Sequence, residues 1–298
     1  MRLPALVALF AAVQAAHPVT LDPAAAAAVV ASLEKARAEA DAAQRGPTSY
    51  FATVARRDFG DQATLTVGRA ADNDVRLDDP AVQPHHLRVT VEGDVFHVSA
   101  VDRDAVFTSG TTPVREARVG PTALGIGRFR LRLSHQRFPA IIVYDPASPR
   151  LKTYRGLTYF PIDLAYRYEL PLTPNPAQDT IVVMSTRGNR RHAVRVGWFD
   201  FVVGGTPCRL EAVRLLEPGA DGQSVSVYFR DATSGRETYP LGRYVDAPRL
   251  SSGKYVLDFN TAYNPACAFS EHYNCPIPSK ANTLTVPIRA GERDAHYH

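Results

Sequence analysis

TVGRAADNDVRLDDPAVQPHHLRV, residues 66–89, alternates apolar and polar side chains, breaks into Gly, Asp, Asn and Pro, and resumes alternating at Leu87. A period of two interrupted by such breakers makes short strands joined by turns. The same texture continues on both sides: ATLTV, VRL, HLRVTVEG, VFHVSAV, AVFTS and RFRLRLS are strand candidates, and their spacing is that of an antiparallel sandwich spanning residues 49–136. Residues 137–298 form a second β-region, with PAIIVYD, DTIVVMS, AVRVGWFDFVVGG, PCRLEAVRLL, SVSVYFRD and KYVLDFN as strands. Val194, Val196, Trp198 and Val202 share one face with Asp200, while Val225, Val227 and Phe229 alternate with Ser224, Ser226, Tyr228 and Arg230, giving a buried and a wet side. A barrel or a packed sandwich accounts for that alternation, and a barrel leaves room for a cavity.

The expected fold is therefore all-β, a sandwich followed by a second sandwich or barrel, with a helix in front. Residues 17–48 supply that helix: Asp22 caps it, Pro23 opens it, and no breaker appears between Ala24 and Gln44. Val29, Val30 and Leu33 are its only large apolar residues, so it is expected to lie on a surface as a spacer between a membrane and the folded body. Residues 1–16, MRLPALVALFAAVQAA, start basic at Arg2, continue apolar and end in small residues suited to cleavage after Ala15 or Ala16. That is the pattern of a secretory signal, too short for a stable membrane span, and it predicts an exported protein, periplasmic or secreted; an ordinary Ala-rich helix is the alternative.

The chain has 298 residues, 45% hydrophobic and 21% charged, enough for two globular domains. Its formal charge of +4 comes from scattered basic residues that alternate with apolar ones, as in GRFRLRLSHQRF, which is a solvated strand face rather than a nucleic-acid footprint. The densest group, RGNRRH at 187–192, reads as a hairpin tip. Export favours a disulfide between Cys267 and Cys275, with free thiols or a thiolate metal site including His272 as alternatives. A metal site lacks a fourth donor, Cys208 is left without a partner, and no cofactor is expected.

The stretch quoted first resembles the forkhead-associated domain, through Gly68-Arg69, the block Asn73 to Leu77, Val82, and His85-His86 before LRVTV. The resemblance implies a β-sandwich whose loops bind phosphothreonine peptides, the Arg after Gly and a Ser three residues before the His meeting the phosphate while the His braces the loop. Arg69 and His86 stand in those places, but Gln83 occupies the Ser position, and its longer amide projects into the space of the phosphate. The Asn-Gly pair expected after the next strand is also missing, since the segment reads AVDRDAVFTSG. The expectation is a retained fold that has lost phosphothreonine reading, with the Arg69 guanidinium left for another anion or for a salt bridge to Asp72, Asp74 or Asp78.

The segments 153–169, 228–248 and 255–293 resemble the bacterial family catalogued as domain of unknown function 1684. Within the last of them, Asn, Pro and aromatics are too dense for a helix or a central strand, which predicts a long ordered loop, either a plug over strand edges or a ligand site. Asn260, Tyr263, Asn264, His272, Tyr273 and Asn282 are its candidate ligand contacts, suited to a small polar or sugar-like molecule bound without catalysis. A hydrolase acting through Asp258 and His272 is the rival reading, and an envelope protein-interaction module is the third. The partner is then an unknown small molecule or an envelope protein.

Overall fold

The structure, a computed structural model, describes residues 15–218, 225–294, 296 and 297. The expected signal segment, apart from Ala15 and Ala16, lies outside the described residues, as do Ser224 and His298. The chain is mostly β, with one long helix, α1 (Pro23–Ala43), ahead of the strands. Asp22 caps α1 by accepting the Ala25 amide at 2.9 Å, with Pro23 in the first turn, where its missing N–H is not needed.

The first domain has eleven strands: β1 (Thr53–Asp58), β2 (Thr64–Gly68), β3 (Val75–Arg76), β4 (Leu87–Glu92), β5 (Val95–Ala100), β6 (Phe107–Ser109), β7 (Thr112–Val114), β8 (Glu116–Val119), β9 (Thr122–Ile126), β10 (Phe129–Ser134) and β11 (Ala140–Tyr144). They make two sheets, ordered β3-β2-β4-β5-β8 and β1-β11-β10-β9-β6-β7. Alternate residues such as Leu65, Val67, Val89, Phe96 and Leu131 fill the space between them. The run AIIVY, assigned by sequence to the second domain, belongs here: β11 is hydrogen-bonded between β1 and β10, so the sandwich extends to Tyr144. All five of its residues are buried. Ile141 and Val143 face the sandwich core, whereas Ile142 and Tyr144 pack against the second domain.

That domain contains β12 (Arg167–Leu170), β13 (Thr173–Pro174), β14 (Thr180–Met184), β15 (Arg190–Val203), β16 (Thr206–Leu215), β17 (Val225–Phe229), β18 (Arg243–Ala247) and β19 (Tyr255–Asp258). The main sheet runs β13-β15-β16-β17-β18, with β14 also on β15, and the β12-β19 ribbon packs its Tyr168, Leu170 and Leu257 into the same core. Among the described residues the strand order does not return to its start, so the sheet is open rather than a closed barrel. Its edges are covered by the long segment after β19: Tyr263 exchanges backbone hydrogen bonds with Tyr244 of β18 at 2.9 and 3.0 Å, and Arg230 does so with Asn282 and Leu284 at 2.9 Å. Along β15 the buried side is Phe199, Phe201 and Val203, not the Val194, Val196, Trp198 and Val202 side, which is only half-buried. Both sides are apolar in sequence, and the phenylalanines remove more area from water; Asp200 marks the wetter side, where it meets Thr173 and Arg209.

Helix α1 is not a spacer. Its Asp41 carboxylate accepts the Tyr154 hydroxyl at 2.6 Å and the Leu157 amide at 2.8 Å, and Arg37 donates to the carbonyls of Phe160 and Asn260 at 2.9 and 3.3 Å. The guanidiniums of Arg37 and Arg45 also lie over the rings of Tyr159 and Tyr154. Polar and aromatic contacts strap the helix to the second domain where its thin apolar face could not.

Candidate functional site

The two domains meet on a hydrophobic cluster of their own, in which Ala52, Ile142 and Tyr144 of the sandwich pack against Val183, Val213, Tyr228, Tyr244 and Tyr273. A cleft of about 250 Å³ opens along this seam. Tyr50, Arg56, Arg132 and Gln136 face it from the sandwich; Arg191, five residues of the long segment from Tyr263 to Asn274, and Tyr228 and Tyr244 face it from the second domain. Strand register sets this lining. Tyr228 and Tyr244 are directly paired across β17 and β18, with ring centroids 4.4 Å apart, and Tyr263 sits edge-on to Tyr244 at 5.7 Å. Tyr50 stacks on Phe269 at 5.5 Å and meets Tyr273 edge-on at 5.1 Å.

Burial pushes the Tyr50 and Tyr228 hydroxyls up to about 12 and raises those of Tyr244, Tyr263 and Tyr273 as well. All five phenols are neutral at ordinary pH and keep a proton to donate. Protein groups engage most of them: Tyr244 donates to the Pro276 carbonyl, Tyr263 to Asp246 at 3.1 Å, Tyr273 is hydrogen-bonded to Thr53 at 2.8 Å, and Tyr228 is hydrogen-bonded to Ser226. Arg191 is neutralised bidentately by Glu217, and its remaining nitrogen donates to the Asn274 carbonyl at 2.9 Å. Arg132, exposed at the rim, has no carboxylate partner among the described residues. Asn274 is 3% exposed, and neither its amide nitrogen nor its amide oxygen has a hydrogen-bond partner. Buried polar groups are almost always paired, and an unpaired amide costs roughly 1–3 kcal/mol.

Of the residues expected from sequence, Tyr263 and Tyr273 line this cleft. The asparagines around them are brackets. Asn260 bonds Asp163 and Asp258, Asn264 bonds Glu292 and the Arg293 carbonyl, and Asn282 bonds the backbone of Glu211 and Tyr228. His272 opens on a separate depression with Arg150 and Glu271; burial first, and then nearby arginines, lower its pKa. Asp258 is buried on the β12-β19 ribbon, where Arg167 at 2.7 Å and Asn260 at 2.9 Å take its carboxylate. The structure does not bring Asp258 and His272 together. Sequence reading missed Asn274, Arg132 and Tyr50, and placed Tyr228 on a wet face; the break in alternation at Tyr228-Phe229, both buried, marks the seam.

In the sandwich loops His86 is 3% exposed, accepting the Gln83 amide on Nδ1 at 3.0 Å and donating from Nε2 to the Val106 carbonyl at 2.8 Å. Gly68 is required where it stands, because a Cβ there would lie 2.2 Å from the Pro84 carbonyl oxygen. Arg69 is exposed and donates to the Val82 carbonyl at 3.2 Å. It makes none of the expected salt bridges: Asp74 pairs with Arg57, Asp78 with Arg76 and Asp72 with His85.

The expected Cys267–Cys275 bridge is absent; both are free thiols, as is Cys208. The loop is pinned without a bond, by Arg191 on the Asn274 carbonyl, Thr186 on the Tyr273 carbonyl, and the Cys267 amide on Cys275 Sγ at 3.2 Å. Among the described residues no group of three or more His, Cys, Asp or Glu side chains gathers to hold a metal, and no helix is long and apolar enough to cross a membrane.

Residues 65–127 match the family model of the FHA domain, and residues 152–293 match that of the Protein of unknown function (DUF1684). Among solved structures, an uncharacterized protein of Haloarcula marismortui is 32% identical over 52% of this chain and 85% of its own, with a TM-score of 0.41. A structure described under phosphothreonine-dependent FHA domain interactions is 23% identical over 28% and 76%, TM-score 0.22, and Mycobacterium tuberculosis EmbR in complex with a low affinity phosphopeptide is 15% identical over 42% and 32%, also 0.22. No curated protein matches. The second domain carries the Asn- and Tyr-rich segment over which the family model runs, and that domain, residues 152–293, belongs to the DUF1684 family, with an FHA domain in front.

Proposed function

We propose that this chain is an exported, non-catalytic binding protein whose seat is the tyrosine-walled cleft between the two domains, and that its FHA domain no longer reads phosphothreonine. The observation that carries the reading is Asn274, a carboxamide buried in the wall of the cleft with no partner on either atom. A ligand with a donor and an acceptor side by side satisfies it. Neutral tyrosine faces suit a flat or CH-rich ring, and Arg132 at the rim suits a carboxylate or phosphate. The cleft is smaller than the roughly 300–1,000 Å³ of pockets for drug-sized molecules, so the occupant is a small anionic ring compound of monosaccharide size.

Thermal-shift and calorimetric titration with sugar acids, aromatic carboxylates and their neutral counterparts tests this. The anionic set is expected to stabilise the chain by about 2.7 kcal/mol at a hundredfold excess over Kd, and Asn274→Leu and Arg132→Ala each to abolish the shift. Binding that survives both substitutions, or a panel that stabilises nothing, overturns the seat. A phosphothreonine peptide added to the same preparation is expected to give no heat; heat that disappears in Arg69→Ala restores phosphothreonine reading instead.

Export rests on residues 1–16, a basic start, an apolar run and small residues suited to cleavage after Ala15 or Ala16. Ala16 donates to the Asp200 carbonyl and accepts from the Val202 amide, both at 2.9 Å, so cleavage after Ala15 leaves this bridge whole and cleavage after Ala16 removes it. N-terminal sequencing of protein recovered outside the cytoplasm is expected to start at Ala16; recovery only inside the cell with Met1 intact sinks export.

A further inference from the structure

Cys267 and Cys275 differ in ways that a pair of structural thiols need not. Cys267 sits half-buried in a single 3-10 turn, Ala266–Ala268, and lines two surface depressions. One is lined by Arg150, Phe269 and His272, the other by Arg187, Tyr239 and Leu241. Cys275 is 7% exposed, lies behind Cys267 and forms part of the wall of the seam cleft. The Cys267 amide donates to Cys275 Sγ at 3.2 Å, and the Tyr239 hydroxyl reaches Cys267 Sγ at 3.8 Å.

We propose that Cys267 and Cys275 form a redox-active dithiol that reduces one small-molecule disulfide per chain, without turnover, with Cys267 attacking from the surface and Cys275 resolving from its buried position. The direction follows from how the pair shares its charge. The Cys275 thiol, hydrogen-bonded to Cys267, together with Tyr239 and Thr186, holds Cys267 below the ordinary thiol range against the opposing effect of burial. The same hydrogen bond, reinforced by burial, holds Cys275 well above it. A low-lying, reachable thiolate beside a protonated, sheltered thiol is the arrangement in which one sulfur attacks first.

The steps balance. The Cys267 thiolate attacks one sulfur of RS–SR; that bond breaks, and RS⁻ leaves and is protonated, giving the mixed disulfide Cys267–S–SR. Cys275 then loses its proton and attacks the Cys267 sulfur, the second RS⁻ leaves and is protonated, and a Cys267–Cys275 disulfide remains. The dithiol gives up two electrons and two protons, and the external disulfide becomes two RSH. The sulfurs must close to about 2.0 Å, and Tyr273 and Asn274, between the two cysteines in sequence, move with them.

The test uses the full chain carrying Cys208→Ser, reduced and then exposed to 2-hydroxyethyl disulfide at neutral pH, with intact mass and peptide mapping over time. The expected result is a chain that loses two hydrogens, releases two equivalents of mercaptoethanol and keeps no adduct. Cys275→Ser is expected to trap one adduct on Cys267, and Cys267→Ser to react about tenfold more slowly. Because either serine variant can misfold, substoichiometric iodoacetamide on the Cys208→Ser chain gives an independent reading: Cys267 must label before Cys275. Equal labelling, a chain that stays as two thiols, or a bridge that dithiothreitol reduces only after unfolding each overturns the proposal.

Discussion

Arg243→Leu is expected to destabilise the second domain by about 3–5 kcal/mol, the usual cost of removing one partner from a buried ion pair. Arg243 is 1% exposed; its Nη2 meets Asp231 and the Ile288 carbonyl, both at 2.8 Å, and its Nη1 donates to the carbonyls of Ala290 and Glu292. Burial pulls its pKa down and Asp231 pulls it back up, but a guanidinium does not lose its charge in a protein. Leucine leaves the Asp231 carboxylate without a cation and three carbonyls without a donor. Because these carbonyls belong to the segment that covers the sheet edges, the loss is expected to release the end of the chain as well as weaken the core. Urea denaturation measures the first effect and limited proteolysis near residue 290 the second. The double substitution Asp231→Leu, Arg243→Met is expected to recover part of the loss, since no charge is left stranded. A single variant as stable as the parent contradicts the assignment.

The second large effect is a stability that falls as pH rises. Glu292 is 3% exposed and accepts the Asn264 amide and side chain at 2.9 and 3.1 Å; burial raises its pKa from an ordinary 4.5 to about 7, against those donors and Arg243. Between these two values the folded chain holds the proton and the unfolded chain releases it. The contribution is therefore fully present below about 4.5 and is lost by about 7, on the order of 3 kcal/mol in total. Asp41, Asp58, Asp74 and Asp145 are held below the ordinary carboxylate range by hydrogen bonds and arginines that outweigh burial, so their stability fails only in stronger acid, below this window. His272, whose pKa burial lowers, acts in the opposite sense near its ordinary 6.5 and subtracts from the slope. Denaturation midpoints from pH 5 to 8 are expected to decline in the parent and to lose that decline in Glu292→Gln. A slope unchanged in the variant assigns it elsewhere.

Much of the sandwich is legible because its strands alternate between one buried and one wet face. β7, β8 and the start of β9 are not, since these short edge segments expose most of their side chains and carry no apolar stripe. β11 fails for the opposite reason. Buried on both sides, it shows no alternation, and nothing local in AIIVY says which domain it joins. The same double burial hides the cleft: Tyr228 occupies a position that is wet in an isolated sheet and becomes a wall only where another domain covers it. Asparagines in the long segment are easy to see and hard to rank, because composition cannot separate Asn264, fully bonded through its side-chain nitrogen, from Asn274, whose carboxamide bonds to nothing.

The route of the chain has its own consequence. It visits the second domain before the sandwich, through Ala16 on β15, Val19 on Arg167 and α1 on Tyr154, and returns to it after β11. The sandwich is thus an insert with two necks, at Tyr50–Phe51 and Ser148–Arg150, laced by Ser148 to the Phe51 carbonyl at 2.8 Å and Arg150 to the Tyr50 carbonyl at 3.2 Å. Two necks at one end, the Arg187–Asp58 ion pair at 3.0 Å and the Thr53–Tyr273 hydrogen bond at 2.8 Å hold the halves against each other along the seam. During synthesis the leading helix also has no dock until Tyr154, 113 positions after Asp41, has emerged. Any attempt to express the C-terminal half alone discards that helix and the Ala16 strand with it.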